Sequence, residues 1–140
     1  MLKRISDYLH RIQIEHQVDK QQDTLNFAVS SPQGSWQCSI LLERNKRRVQ
    51  GFGFYSTIPQ AVPLNQRTDM ALFLMCLNNN RIFGNFEIDL KTGDIHFKTY
   101  IDCEQNTFSE RSFDRTMLVN VSIMQQHLPD LLQFIKEERA

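Results

Sequence analysis

The sequence has little of what small proteins use to bind metals, cross membranes or attract nucleic acid. It contains only 3 cysteines, none in a CxxC pair. Its 16 basic and 16 acidic residues cancel, so no net field draws it to nucleic acid or to an anionic membrane. The longest apolar run, residues 70–77, is far shorter than the roughly 20 residues of a membrane span. These absences argue against a disulfide scaffold, a membrane protein and a dedicated nucleic-acid binder.

The cysteines and the N-terminus together predict a cytoplasmic protein. Cys38, Cys76 and Cys103 are odd in number and widely spaced, which is typical of reduced structural thiols. The start of the chain has basic residues but no apolar core of a signal peptide. A chain of 140 residues is long enough to bury one core. We therefore expect a single domain, residues 1–140.

The periodicity of apolar residues predicts a mixture of helices and strands. Helical steps indicate a first helix over about 2–17, and alternation indicates three strands over about 24–30, 36–42 and 49–56. Two glycines in the third strand, Gly51 and Gly53, leave room for something large, such as the Trp36 ring or a helix.

A central helix follows, with Asn65 expected as its cap and Asp69 in its first turn. Residues 70–77 are apolar all round, so one side must pack on the sheet and the other must be covered by something else.

The second half of the chain continues with a hairpin and a helix. Residues 78–80 are asparagines that can end the central helix in a left-handed conformation. Alternation then predicts two strands joined by a turn at 91–94. Ser109 is the expected cap of the last helix, which Pro129 should kink or divide. The fold class is therefore α+β, in the order α-β-β-β-α-β-β-α, with helices packed on a single antiparallel sheet of about five strands.

No catalytic constellation stands out, and we do not expect an enzyme. His10 and His16 are six residues apart on the expected helix, which is the wrong spacing for a shared metal. Glu87 and Asp89 are expected to pair with Lys98 on the neighbouring strand. An enzyme would instead need a metal site, or a pocket that gathers distant residues such as His96, Asp102 and Cys103.

A basic hairpin supplies an alternative function. Arg44, Lys46, Arg47 and Arg48 form a run that could contact phosphates in a regulatory domain that binds nucleic acid. No aromatic residue is interleaved for base stacking. The competing interpretations are a solvated turn that discourages edge-to-edge aggregation and a contact for an acidic protein.

The second half of the chain resembles a known family. The stretch MALFLMCLNNNRIFGNFEIDLKTGDIHFKTYIDCE and the later MLVNVSIMQQHLPDLLQFI are similar to the YbjN family, which has the fold of class I type III secretion chaperones. Asn78, Gly84, Phe86, Glu87 and Asp89 occupy the matching positions.

The resemblance implies a bacterial, homodimeric, non-enzymatic module with no cofactor. The module would be chaperone- or adaptor-like and would bind a segment of a partner protein in apolar grooves. Chaperones of this class are typically acidic, so the neutral chain favours an adaptor or regulator. The expected dimer interface on the central helix comprises Met70, Leu72, Phe73, Met75 and Cys76. The expected partner-facing residues are Leu2, Ile5, Leu9, Phe52 and Phe54, for which ordinary core packing is the alternative.

Overall fold

The computed structural model describes residues 1–103 and 107–137, which form three helices and one six-stranded sheet. The elements are α1 (Leu2–Arg11), β1 (Gln17–Asp19), β2 (Thr24–Ser31), β3 (Gly34–Asn45), β4 (Arg48–Thr57), a 3-10 turn (Leu64–Gln66), α2 (Arg67–Asn78), β5 (Asn85–Ile88), β6 (Ile95–Asp102) and α3 (Glu110–Lys136). The sheet order is β1-β2-β3-β4-β6-β5, with every pair antiparallel. The predicted α+β class is confirmed, with one strand more than expected.

The sheet buries one face beneath the helices. Alternate side chains along each long strand are buried, as the pleat requires when one face is covered. The buried set in the strands includes Leu25, Phe27, Trp36, Cys38, Ile40, Phe52, Phe54, Phe86, Ile95 and Phe97. α3 contributes Phe113, Met124 and Leu128 to the same core, and α1 contributes Ile5 and Leu9. The opposite face carries the half-buried and exposed side chains.

A buried amide fixes α3 on the sheet. The side-chain nitrogen of Asn120, a fully buried residue, lies 2.9 Å from the carbonyl oxygen of Phe54 and 3.0 Å from that of Phe97. The Ser56 hydroxyl donates to the Asn120 side-chain oxygen at 2.6 Å and accepts from the Trp36 indole at 3.0 Å. One side chain therefore joins α3 to both β4 and β6.

The first helix is shorter than predicted, because it ends in a Schellman motif. Gln13 adopts φ 62, and the amide of Ile14 donates to the Leu9 carbonyl at 2.9 Å. Glycine usually occupies that left-handed position, so the glutamine gave no signal in the sequence. The chain turns away after Arg11, and Gln17–Asp19 forms the additional strand β1.

Four other predictions about where the helices begin, end or divide can be compared with the structure. Asn65 does not cap α2, because the 3-10 turn places Gln66 at the N-cap. Pro129 does not divide α3, which continues to Lys136. Ser109 is confirmed as the α3 cap, since its hydroxyl accepts from the Ser112 amide at 3.2 Å. The asparagines do end α2, and Asn80 adopts φ 66.

α2 is tied to the hairpin that follows it at both of its ends. The side-chain amide of Asn78 accepts from the Phe86 amide at 2.7 Å and donates to its carbonyl at 3.0 Å, like an added strand. The Arg67 guanidinium donates to backbone carbonyls of residues 62, 90, 91 and 92. Gly93, at φ 81, packs directly against Val62. These bonds fix the turn between β5 and β6 against the start of α2.

We expect Asn120→Ala to lower the free energy of unfolding by about 2–3 kcal/mol, because it removes a buried network and leaves the Ser56 hydroxyl without its acceptor. Urea unfolding followed by circular dichroism measures the loss. Ser122→Ala, an exposed change on the same helix, should stay within about 0.5 kcal/mol of the original chain. Equal stabilities for the two variants would contradict a structural role for the amide.

Candidate functional site

One side of α2 is apolar and exposed to solvent. Met70 and Leu74 bury the inner side against the core, while Leu72 is 64% exposed and Met75 is 67% exposed. Cys76 is exposed beside them. Residues 72, 75 and 76 follow helical steps of three and four, so their side chains share one face. We call Leu72, Met75 and Cys76 the α2 patch.

The α2 patch contains three of the five residues predicted for a dimer interface. Met70 is fully buried within the single chain, which corrects its place in that prediction. Phe73 is half-buried, and its ring stacks on Phe134 of α3 with 5.3 Å between the centroids. The all-round apolar character of this helix thus has two sources, a core-facing side and an exposed side.

Most of the residues predicted to face a partner lie in the core. Ile5, Leu9 and Phe54 have no exposed surface, and Phe52 is 1% exposed. The first two lie on the inner side of α1, and Phe113 of α3 packs on the two phenylalanines. The prediction is therefore corrected to core packing for these four residues. Leu2 is half-buried at the start of α1.

The uncovered face of the sheet carries aromatic and aliphatic groups. Leu41 and Tyr100 are each 42% exposed there. The room beside the β4 glycines is filled by tyrosines: Tyr55 lies over Gly53 and the Tyr100 hydroxyl over Gly51. This corrects the expectation that Trp36 or a helix lies there, since Trp36 is buried on the helix side.

The acidic residues of the β5–β6 hairpin form an ion pair and a turn. Glu87 pairs with Lys98 as predicted, and His96 lies 4.0 Å from the same carboxylate. Burial alone would raise the pKa of Glu87, but the Lys98 ammonium outweighs it and the pKa is lowered. Asp89 does not join this pair, because its carboxylate accepts from the amides of Lys91 and Thr92 in the turn.

Two histidines that the sequence pattern did not place together, His10 and His16, lie side by side in the structure. The Schellman motif folds the chain back, so the His10 and His16 rings lie 4.5 Å apart. The Nδ1 of His16 faces the Ile14 carbonyl at 2.9 Å, and its Nε2 lies 2.6 Å from the Ser6 hydroxyl. A carbonyl only accepts, so Nδ1 carries a proton and donates to Ile14, while Nε2 shares a hydrogen bond with the Ser6 hydroxyl, which can donate or accept. Both nitrogens of His16 are therefore engaged within the protein.

The three residues considered for an enzyme site, His96, Asp102 and Cys103, are not all brought together. His96 and Asp102 lie six residues apart on β6, a separation of roughly 20 Å along a strand. Cys103 is buried, and burial followed by the Asp102 charge raises the pKa of its thiol. Within residues 1–103 and 107–137, no group of three His, Cys, Asp or Glu side chains could hold a metal.

The basic hairpin is exposed at the β3–β4 turn. Lys46, Arg47 and Arg48 point from its tip, with Lys46 at φ 59. Arg44 forms an ion pair with Asp23 through two hydrogen bonds. Its Nε donates to one carboxylate oxygen, and its Nη2 donates to the other at 3.1 Å. The nucleic-acid alternative therefore depends on Lys46, Arg47 and Arg48, because the charge of Arg44 is already balanced by Asp23.

We expect one fast-reacting thiol per native chain at low protein concentration. Cys76 is exposed, whereas Cys38 and Cys103 are buried, and burial raises the pKa of Cys38 to about 11. Titration with Ellman's reagent measures this, and denaturation should release all three thiols. Cys76→Ser should abolish the fast phase; a fast phase that persists in this variant would place another thiol at the surface.

The described part of the chain has no helix long and apolar enough to cross a membrane. A scan against protein-family models gives no match. A search of the curated proteins likewise finds no relative.

Proposed function

We propose that this chain is a non-enzymatic, cytoplasmic protein-interaction module, which forms a homodimer through the α2 patch and binds a segment of a partner protein. The observation that carries the proposal is the exposure of Leu72 and Met75, at 64% and 67%, on a helix whose other side already serves the core. Burying the exposed part of each of these side chains in a contact contributes about 1–2 kcal/mol. Three apolar neighbours on one helical face are a compact site for a two-fold contact.

The resemblance to the YbjN family supports the same proposal. In relatives with the secretion-chaperone fold, the central helix contributes to the dimer, and here α2 is the helix with the exposed apolar side. The chain is neutral rather than acidic. An adaptor or regulatory role therefore fits better than the transport of a secreted effector.

The uncovered sheet face is the proposed surface for the partner segment. Leu41 and Tyr100 are exposed on neighbouring regions of this face, and the ion pair of Glu87 and Lys98 borders it. An apolar centre with a charged border is the usual composition of a protein-binding surface. The segment would lie across the strands and cover Tyr100.

We expect the original chain to be a dimer by size-exclusion chromatography with light scattering, and Leu72→Glu to be a monomer. A glutamate at this position would place two like charges in a buried two-fold contact. Met75→Glu should act in the same direction. Both side chains are mostly exposed in the single chain, so the variants should keep the circular dichroism spectrum and melting temperature of a folded protein.

Gln126→Glu on the exposed surface of α3 is the matched control, since it adds the same charge outside the α2 patch. It should remain dimeric. The thiol of Cys76 should also react more slowly as protein concentration rises. A monomeric original chain, or a Leu72→Glu dimer of unchanged affinity, would refute the proposed interface.

A further inference from the structure

The outer edge of β2 is only partly covered. β1 pairs with residues 24–26 of β2, whereas β3 pairs with all of residues 24–31. Residues 27–31 therefore have no neighbouring strand on their outer side within the described part of the chain. We call this segment the β2 edge. The β2 edge begins just after Asn26, which pairs with Gln17, the first residue of β1. It ends at the two-residue turn of Pro32 and Gln33.

The direction of the hydrogen bonds shows which groups the β2 edge presents. The Leu42 amide donates to the Asp23 carbonyl at 3.1 Å, so the odd-numbered residues of this strand direct their backbone groups toward β3. Ala28 and Ser30 consequently direct their N–H and C=O groups outward. Unpaired backbone groups of this kind are a template for another strand.

The opposite edge of the sheet, formed by β5, is protected against pairing with another strand. At β5 the Asn78 side chain occupies the outward N–H and C=O of Phe86. The β2 edge has no such cap among the described hydrogen bonds. It contains neither a charged residue nor a proline, and its pairing with β3 shows no bulge. These are the devices with which proteins normally block edge-to-edge pairing.

We propose that the β2 edge pairs antiparallel with the β2 edge of a second copy, about a two-fold axis at Val29. In this register Ala28 of each copy faces Ser30 of the other, and the outward groups of these two residues form the ladder. Val29 faces the second copy's Val29 in the non-hydrogen-bonded position. Because no charged side chain lies on the segment, two identical copies meet without like-charge repulsion.

The length of the segment and its surroundings fit this occupant. Ser31 of the second copy reaches Phe27, so its Pro32–Gln33 turn arrives where β1 begins. An open cleft lies at that place, between the His10–Gln17 region and the adjoining strand, lined by polar groups that include Gln13, Gln17, Asn26 and Gln37. A strand that paired further along would meet β1. The symmetric register therefore uses the whole free edge and places the turn in the cleft.

This inference goes beyond the proposed function, because it assigns a second self-association surface remote in sequence from the α2 patch. The β2 edge is the weaker of the two contacts, because a short backbone ladder buries little apolar surface. At the concentrations of the light-scattering experiment the α2 patch alone sets the dimer, and pairing of the β2 edge is transient. At higher concentration the two different two-fold contacts build assemblies larger than a dimer. The two surfaces are separable by experiment, because a Leu72→Glu background removes the contact through the α2 patch and leaves the β2 edge intact.

A disulfide test measures the register directly. In a Leu72→Glu, Cys76→Ser background, Val29→Cys should form a cross-linked dimer under copper–phenanthroline, because facing Cα atoms in this position lie about 4.5 Å apart. Ala28→Cys is the matched control on the exposed side of the same strand. Its two copies would be diagonal, roughly 7–8 Å apart, and should not cross-link. Failure of Val29→Cys to cross-link, or equal cross-linking at both positions, overturns the proposal.

A proline test measures the backbone hydrogen bonds. Ser30→Pro removes an outward amide that takes no part in the β2–β3 ladder, so the fold should be retained. Added to Val29→Cys, it should abolish the cross-link. Ser30→Ala also loses the hydroxyl contact with Ser35 but keeps the amide, and it should cross-link normally. Cross-linking that survives Ser30→Pro in a folded chain overturns strand pairing, whatever the outcome at the α2 patch.

Discussion

The fold depends on one buried amide. Asn120 is the point at which α3 touches β4 and β6 through directed bonds rather than through apolar contact. Apolar packing tolerates small rotations of a helix, but a side-chain amide between two carbonyls does not. The other helices depend on α3, because Tyr8 of α1 packs on Phe113 and Phe73 of α2 stacks on Phe134. The amide therefore contributes to the position of the α2 patch, together with the bonds from Asn78 and Arg67 to the β5–β6 hairpin.

Much of the fold was predictable from local rules. Alternation located the long strands, and a serine and a row of asparagines located two helix ends, because these residues have strong positional preferences. Gln13 was missed because glutamine has no such preference for the left-handed region. β1 was missed because its three residues are too few to show a period. Asn120 was conspicuous only as a polar residue within an apolar run, and its partners lie more than twenty residues away.

The candidate surfaces were less predictable, and the reason is physical. Composition indicated that α2 was apolar on every side, and this led to the prediction that Leu72 and Met75 lie at a dimer interface. It could not show that Met70 turns inward, or that Phe52 and Phe54 lie beneath a helix. A strand pattern identifies two faces but not which one is covered. The β2 edge depends on where β1 stops, which only the register reveals.

The hairpin turns after β3 and after β5, both of which carry charged residues, differ in what length changes they would tolerate. The Arg67 guanidinium holds three successive carbonyls in the turn after β5, and Gly93 fits against Val62, so an extra residue there would displace all of these contacts. The Lys46–Arg47 turn is exposed and bonded mainly through its own strands. An epitope tag or a reporter loop belongs at that second turn, where the chain can accept added length without disturbing the core.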